Sequence, residues 1–293
     1  MHIQKIWDNW EDAGQFSGVF SVSGAHGVVF EKCAGFRNRS EELPNRLDTA
    51  FGIASGTKLL TGLAACKLID AGKLALTDRL WDILPYDLGR IDKRVTVLHL
   101  LTHTSGTGDY IDEEAADSVG QMEALYRQYP VYLWERLDYY LQMIAPLPPK
   151  FEPGARFGYS NAGFVLLGLA IEAVGGMPYQ SYVANEIAKP LGLERTGFHR
   201  TDALPPNTAL GYTGDAASGP LRTNIFCVPV LGGSDGGLYT CAGDLDRLWR
   251  ALFAGRVLSE GMLQAFLKPW STRGEGKSYG LGVYRHENGD NTA

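Results

Sequence analysis

Strand-like and helix-like stretches in this sequence are segregated, not alternating, and that order argues against a regularly wound parallel sheet. Two β-rich runs near the start, "FSGVFSV" and "GVVFEKCAGF", flank "SGAHG", whose small residues suit a turn, and they read as a hairpin. Apolar residues then recur at helical spacing over residues 56–71 (Leu59, Leu60, Leu63, Ala64, Leu68) and stop at Gly72, a natural residue just past a helix end. Thr96 is placed to cap a short helix through Leu101, and residues 132–144, 161–174 and 179–188 read as further helices. Extended character returns in "GGLYT", followed by helical stretches over 244–253 and 260–267, and "SYGLGVYRH" reads as a strand. The expectation is an α+β fold, an antiparallel β-sheet flanked by helices with an inserted all-helical lobe. Its boundaries fall at 1–85 for the first part of the sheet lobe, 86–233 for the helical lobe and 234–293 for the second part of the sheet lobe. A ligand cleft is expected between the lobes.

Composition narrows the partners. Of 293 residues, 45% are hydrophobic and 20% charged, enough for a sizeable core. No apolar run is long enough for a transmembrane segment, and "MHIQKIWDNWEDAG" lacks the apolar stretch of a secretory signal, so the chain as written reads as cytoplasmic. An extracytoplasmic protein is expected only where a native leader has been removed. A net charge of -6 with scattered Lys and Arg provides no basic stripe for nucleic acid. Cys33, Cys66, Cys227 and Cys241 lie far apart and read as free thiols. His99 and His103, at i and i+4 in "HLLTH", lack the glutamate of a zinc-protease helix and read as structural. No metal and no cofactor is expected; the partner is a small-molecule or peptide substrate, and the sequence leaves the oligomeric state open.

The stretch "FGIASGTKLL" places Ser55 and Lys58 three residues apart at the start of an apolar helix. A serine hydroxyl attacks only when a base removes its proton, and a lysine becomes that base when desolvation or neighbouring cations lower its pKa. Residues three apart share a helix face, and the helix N-terminus offers free N–H groups where an oxyanion would form. Taken alone, the pair also fits an N-cap serine followed by a solvated lysine. A second motif, "FEPGARFGYSNAGF", sets Tyr159 and Asn161 just before another helix, after a Pro-Gly turn. A tyrosine there can share a proton with a lysine, and an asparagine two residues on offers donor and acceptor to an amide. The plainer roles are a helix cap for Asn161 and packing for Tyr159.

Together "SGTK", "VTVLHLLTHTSG", "PGARFGYSN" and "GGLYTCAGDLDRLWRAL" resemble the serine β-lactamase and penicillin-binding-protein superfamily, nearest its class C β-lactamase, D-aminopeptidase and esterase branch. The resemblance covers residues 16–283. It implies Ser55 as acylated nucleophile, Lys58 as its activating partner, Tyr159 as general base and then acid, and Asn161 as partner of Lys58 and of a substrate amide. The implied activity is that of a serine hydrolase on β-lactam, D-amino-acid peptide or ester substrates, with a non-hydrolytic penicillin-recognising binding or sensor protein as the alternative. One departure stands out: the superfamily's third motif, Lys-Thr-Gly or His-x-Gly, has no match after "YGLGVYRHENGDN". The fold is therefore expected to be truncated at its C-terminal strands, with the returning strand of an Asn288-Gly289 hairpin and the second oxyanion donor beyond Ala293.

A rival lies in Gly232-Gly233-Ser234-Asp235-Gly236, which matches the G-x-S-x-G elbow of α/β-hydrolases, with Asp246 and His286 in the required order. An elbow needs a helix directly after its serine, and "GGLYT" is extended instead. These glycines are read as a tight backbone approach near the cleft.

Overall fold

A computed structural model describes residues 3–12, 16–114, 116–214, 220–288 and 291–292. After helix α1 (Ile3–Asp12), strands β1 (Gly18–Gly24) and β2 (Gly27–Ala34) form the expected antiparallel hairpin. Strands β3 (Phe36–Asn38) and β4 (Leu43–Pro44) make a second ribbon. Strand β5 (Phe51–Gly52) leads through a 3₁₀ turn, Ala54–Gly56, into α2 (Thr57–Asp70). Helices α3 (Leu80–Ile83), α4 (Val97–Leu101), α5 (Ser118–Gln128), α6 (Leu141–Ile144) and α7 (Asn161–Gly175) follow, then α8 (Tyr179–Val183), which runs through a π turn into α9 (Lys189–Leu191). A short ribbon of β6 (Tyr212–Thr213) and β7 (Arg222–Thr223) also lies in this middle span. The chain continues with β8 (Tyr239–Thr240), α10 (Ala242–Phe253), α11 (Glu260–Leu267), β9 (Ser271–Gly274), β10 (Lys277–Tyr279), β11 (Tyr284–Asn288) and β12 (Asn291–Thr292). All named strand pairs are antiparallel. Among the described residues the sheet is divided into one four-stranded piece, β12-β11-β10-β9, and four two-stranded ribbons.

Two helices carry the core. Eleven consecutive residues of α7, 161–171, are buried, and α2 is buried nearly all round, as helices apolar on every face must be. They pack on each other, with α4 and α8 against α7 and α11 against α2. Gly72 ends α2 in the left-handed conformation (φ 68°), as its position predicts, and Thr96 caps α4. Among the described residues no single helix is long and apolar enough to cross a membrane, and all four cysteines are free thiols.

Two expected elements differ. Residues 132–144 do not form one helix but two 3₁₀ turns, Val131–Leu133 and Leu137–Tyr140, followed by α6. The amides of Val230 and Leu231 bond to the carbonyls of Val131 and Trp134, at 3.0 and 3.4 Å, so a distant segment occupies acceptors that a continuous helix would use. The run "SYGLGVYRH" likewise is not one strand: it turns at 280–283, pairing Tyr279 with Tyr284. A Cβ at Gly62 would overlap the Leu281 carbonyl oxygen, so this turn, with Gly282 at φ 98°, sits directly on α2. β11 therefore has β10 on one side, and Glu287 and Asn288 pair with Thr292 and Asn291 of β12 on the other, so the returning strand expected beyond Ala293 already begins at Asn291. Residues 289–290 of the expected Asn288-Gly289 hairpin connection lie outside the described residues.

Candidate active site

The Ser55 turn is held from below by the β5–β8 ribbon. Ile53 N donates to Leu238 O at 2.9 Å and Leu238 N to Thr57 Oγ1 at 3.0 Å, so residues 53–57 are tied to the 232–238 loop. Ala54 takes a left-handed φ of 45°, which costs a non-glycine residue about 1 kcal/mol and turns the next side chain outward. Ser55 is exposed, while Lys58, one turn on, is 2% exposed. Lys58 is thus no solvated helix residue, and Ser55 makes no side-chain cap to α2. The Lys58 Nζ lies 3.1 Å from Ser55 Oγ and donates to Asn161 Oδ1 at 2.8 Å and to the Asp235 backbone oxygen at 2.6 Å.

The second motif arrives from the other side. The cap of α7 is Ser160, whose Oγ accepts from Gly163 N at 2.9 Å, so Asn161 is the first helical residue and its side chain is free for Lys58. Tyr159, on the extended approach to the helix, donates its hydroxyl to Ser55 Oγ at 2.7 Å. Ser55, Lys58, Tyr159 and Asn161 therefore form one connected cluster. Asn161 Nδ2 donates to Glu113 Oε1 at 2.9 Å and Ile111 O at 3.3 Å, so both ends of its amide are engaged within the protein.

Three carboxylates surround this cluster: Asp109, Glu113 and Asp235. Asp109 accepts from the amides of Asn161 (2.7 Å) and Ala162 (3.1 Å) at the α7 N-terminus, yet burial dominates and pushes its pKa up to about 7. Burial also raises Asp235, whose carboxylate accepts the Tyr110 hydroxyl at 2.5 Å. For Lys58, burial outweighs the attraction of Asp235, Glu113 and Asp109 and lowers the pKa. For Tyr159 burial raises it, against the bond to Ser55. Both shifts favour the uncharged forms, a neutral amine and a neutral phenol beside one serine.

A cavity of about 490 Å³ opens beside Ser55, with Glu113 and Asn161 on its wall and Tyr110, Trp134 and Tyr140 among its lining. The loop 232–237 closes another wall: a Cβ on Gly232 would collide with Gly237, which is the close backbone approach expected of these glycines. The G-x-S-x-G stretch does not form a nucleophile elbow. Ser234 is 0% exposed, its Oγ is wedged against Gly168 of α7 without a hydrogen-bond partner, and the segment after it is strand β8. Asp246 is paired with Arg250 on α10 and does not serve a triad. His99 closes a capping box with Thr96, and His103 lies buried behind Tyr159. Sequence reasoning missed Asp109, Glu113 and Asp235 as members of the site. Asp109 and Glu113 follow the "HTSG" motif closely, and Asp235 adjoins the singled-out Ser234, but nothing in their spacing announces convergence on Lys58.

The family described as Beta-lactamase matches residues 3–292. The chain belongs to that family. A putative penicillin-binding protein, PbpX of Bacillus subtilis (strain 168), is 28% identical over 283 residues, covering 96% of this chain and 65% of the relative. Esterase EstB of Burkholderia gladioli is 33% identical over 229 residues, 75% of this chain and 56% of the esterase. The chain thus spans less than two thirds of the length of either curated relative. Among solved structures, the penicillin binding protein from Bacillus halodurans superposes with a TM-score of 0.90 at 40% identity, covering 99% of this chain and 86% of that one. The fold expected from the segregated strands and helices is the fold of this family.

Proposed function

We propose that the chain is a serine hydrolase in which Ser55 attacks an acyl carbonyl, holds the acyl group as an ester and releases it to water. The observation that carries this reading is the convergence of Lys58 Nζ and Tyr159 Oη on Ser55 Oγ, at 3.1 and 2.7 Å. In acylation the Ser55 oxygen bonds to the acyl carbon, its proton passes to the base, and the bond to the leaving group breaks as that group takes up a proton. The directions of the two pKa shifts favour the neutral Lys58 amine as resting base and the Tyr159 phenol as donor to the leaving group. Tyr159 then acts as base in deacylation, accepting the proton of the attacking water, an order that reverses the base-then-acid role implied by the resemblance. Asn161 fixes Lys58 through Oδ1; contact of its Nδ2 with a substrate carbonyl requires release from Glu113.

The substrate class is a β-lactam, a D-amino-acid peptide or amide, or a simple ester, in line with relatives named as penicillin-binding proteins and an esterase. Nitrocefin, p-nitrophenyl esters and D-alanyl amides, assayed with Ser55→Ala as control, test this. Turnover of at least one class that disappears in Ser55→Ala is the expected result. Stoichiometric acylation of Ser55 without turnover would overturn hydrolysis in favour of a penicillin-recognising binding or sensor protein.

A further inference from the structure

His103 occupies an unusual place. Helix α4 ends in a Schellman motif: His103 N donates to Leu100 O at 3.4 Å and Thr104 N to His99 O at 2.9 Å, with the residue between them left-handed. Glycine is the ordinary choice there, yet the chain has histidine at φ 56°. A strained conformation kept by a bulky side chain calls for a reason in what the side chain touches.

What it touches is the Tyr159 segment, on both sides. Gly158 N donates to the His103 backbone oxygen at 2.8 Å, and Ser160 N donates to His103 Nδ1 at 3.1 Å. Between these two anchors the imidazole lies against the Tyr159 ring, centroids 4.6 Å apart. Phe164 and Tyr279 hold the other sides of the imidazole, at 4.8 and 4.7 Å. The left-handed backbone is what lets one residue present its carbonyl and its ring nitrogen to amides 158 and 160 together. Because Nδ1 accepts from an amide, the ring proton sits on Nε2, which is buried and has no hydrogen-bond partner among the described residues. Burial also keeps the imidazole neutral.

We propose that His103 is the positioning residue for Tyr159, a neutral splint that fixes the phenol against Ser55 from outside the reacting cluster. The proposal rests on the reading of Tyr159 as a proton-transfer group for Ser55. Its consequence is that His103 matters only through Tyr159, because a small displacement of a proton-transfer group lowers the rate steeply.

The test is a double-mutant cycle on the full chain, read as the rate of Ser55 labelling by a fluorophosphonate, with the adduct followed by intact-protein mass spectrometry. His103→Gly removes the ring and its acceptor but suits the left-handed helix end, so the fold has its best chance of surviving. We expect it to slow labelling by about tenfold or more. His103→Asn, which tolerates left-handed φ and restores a side-chain acceptor, should recover a substantial part of that loss. The combined His103→Gly/Tyr159→Phe variant should label no more slowly than Tyr159→Phe alone. Multiplicative losses in the combined variant would overturn the proposal and leave Tyr159's role standing. Wild-type labelling by Tyr159→Phe would overturn both. If His103→Gly fails to fold, the same cycle run with His103→Asn decides: slowing beside Tyr159 that vanishes in the Tyr159→Phe background supports the splint, and equal slowing in both backgrounds, or none in either, overturns it.

Discussion

At the scale of single residues, the account depends on a lysine that burial keeps close to neutral. Lys58 is lowered by desolvation and Tyr159 is raised by it, so the competent state, amine and phenol both uncharged, gains population as pH rises through the lysine's lowered value. It is lost only when the phenol ionises, above its ordinary value of 10. The expected kcat/KM profile therefore rises as pH passes the lysine's lowered value and shows no fall attributable to Tyr159 below pH 10, its limbs belonging to the coupled pair. A profile that falls between pH 8 and 10 would contradict the assignment. Lys58→Ala and Tyr159→Phe should each lower kcat by about 10² or more, the scale of lost general acid–base catalysis, in steady-state assays. Ser55, Lys58, Tyr159 and Asn161 were legible in the sequence because each pair sits at a helix start, where local geometry nearly fixes which way side chains point. Asp109, Glu113 and Asp235 were not, because they meet Lys58 only after separate loops close on the two helix starts.

At the scale of elements, α7 brings Asn161 to the site and also stores tension. Asp109 accepts two amides at the α7 N-terminus, and its folded pKa, raised by burial to about 7, lies above its ordinary 3.8. The native state then holds a proton that the unfolded chain gives up between these values. Its contribution is fully present below pH 3.8 and is lost as pH rises through about 7. Asp109→Asn should flatten the stability profile across that window in urea titrations; an unchanged slope would place the buried charge elsewhere. Farther along α7, a Cβ at Gly168 would strike Ser234 Oγ and Leu137, so Gly168→Ala should cost about 1–3 kcal/mol by overpacking. Ser234→Ala, which removes a buried hydroxyl without a hydrogen-bond partner, should instead hold or raise stability by about 1 kcal/mol, with catalysis intact. Capping was readable element by element, as Thr96 and Gly72 illustrate. The break in 132–144 was not, since the amides of Val230 and Leu231 that cause it lie far along the chain. The turn inside "SYGLGVYRH" has glycines that signal it, but the reason for it, a seat against Gly62, is tertiary.

At the scale of the whole molecule, the two helix starts reach the same point because α2 and α7 pack together as the core, and the β5–β8 ribbon ties the nucleophile turn to the 232–238 loop. The cavity beside Ser55 follows from that packing, lined by aromatic rings and by Glu113 and Asn161. The central claim is that this packing produces one activated serine. Intact-protein mass spectrometry after treatment with a fluorophosphonate or a penicillin, with the adduct mapped by peptide digestion, tests it most directly. A single adduct on Ser55 is expected, absent in Ser55→Ala and strongly slowed in Lys58→Ala. An adduct on Ser234, or labelling of Ser55 at the same rate in Lys58→Ala, would contradict it.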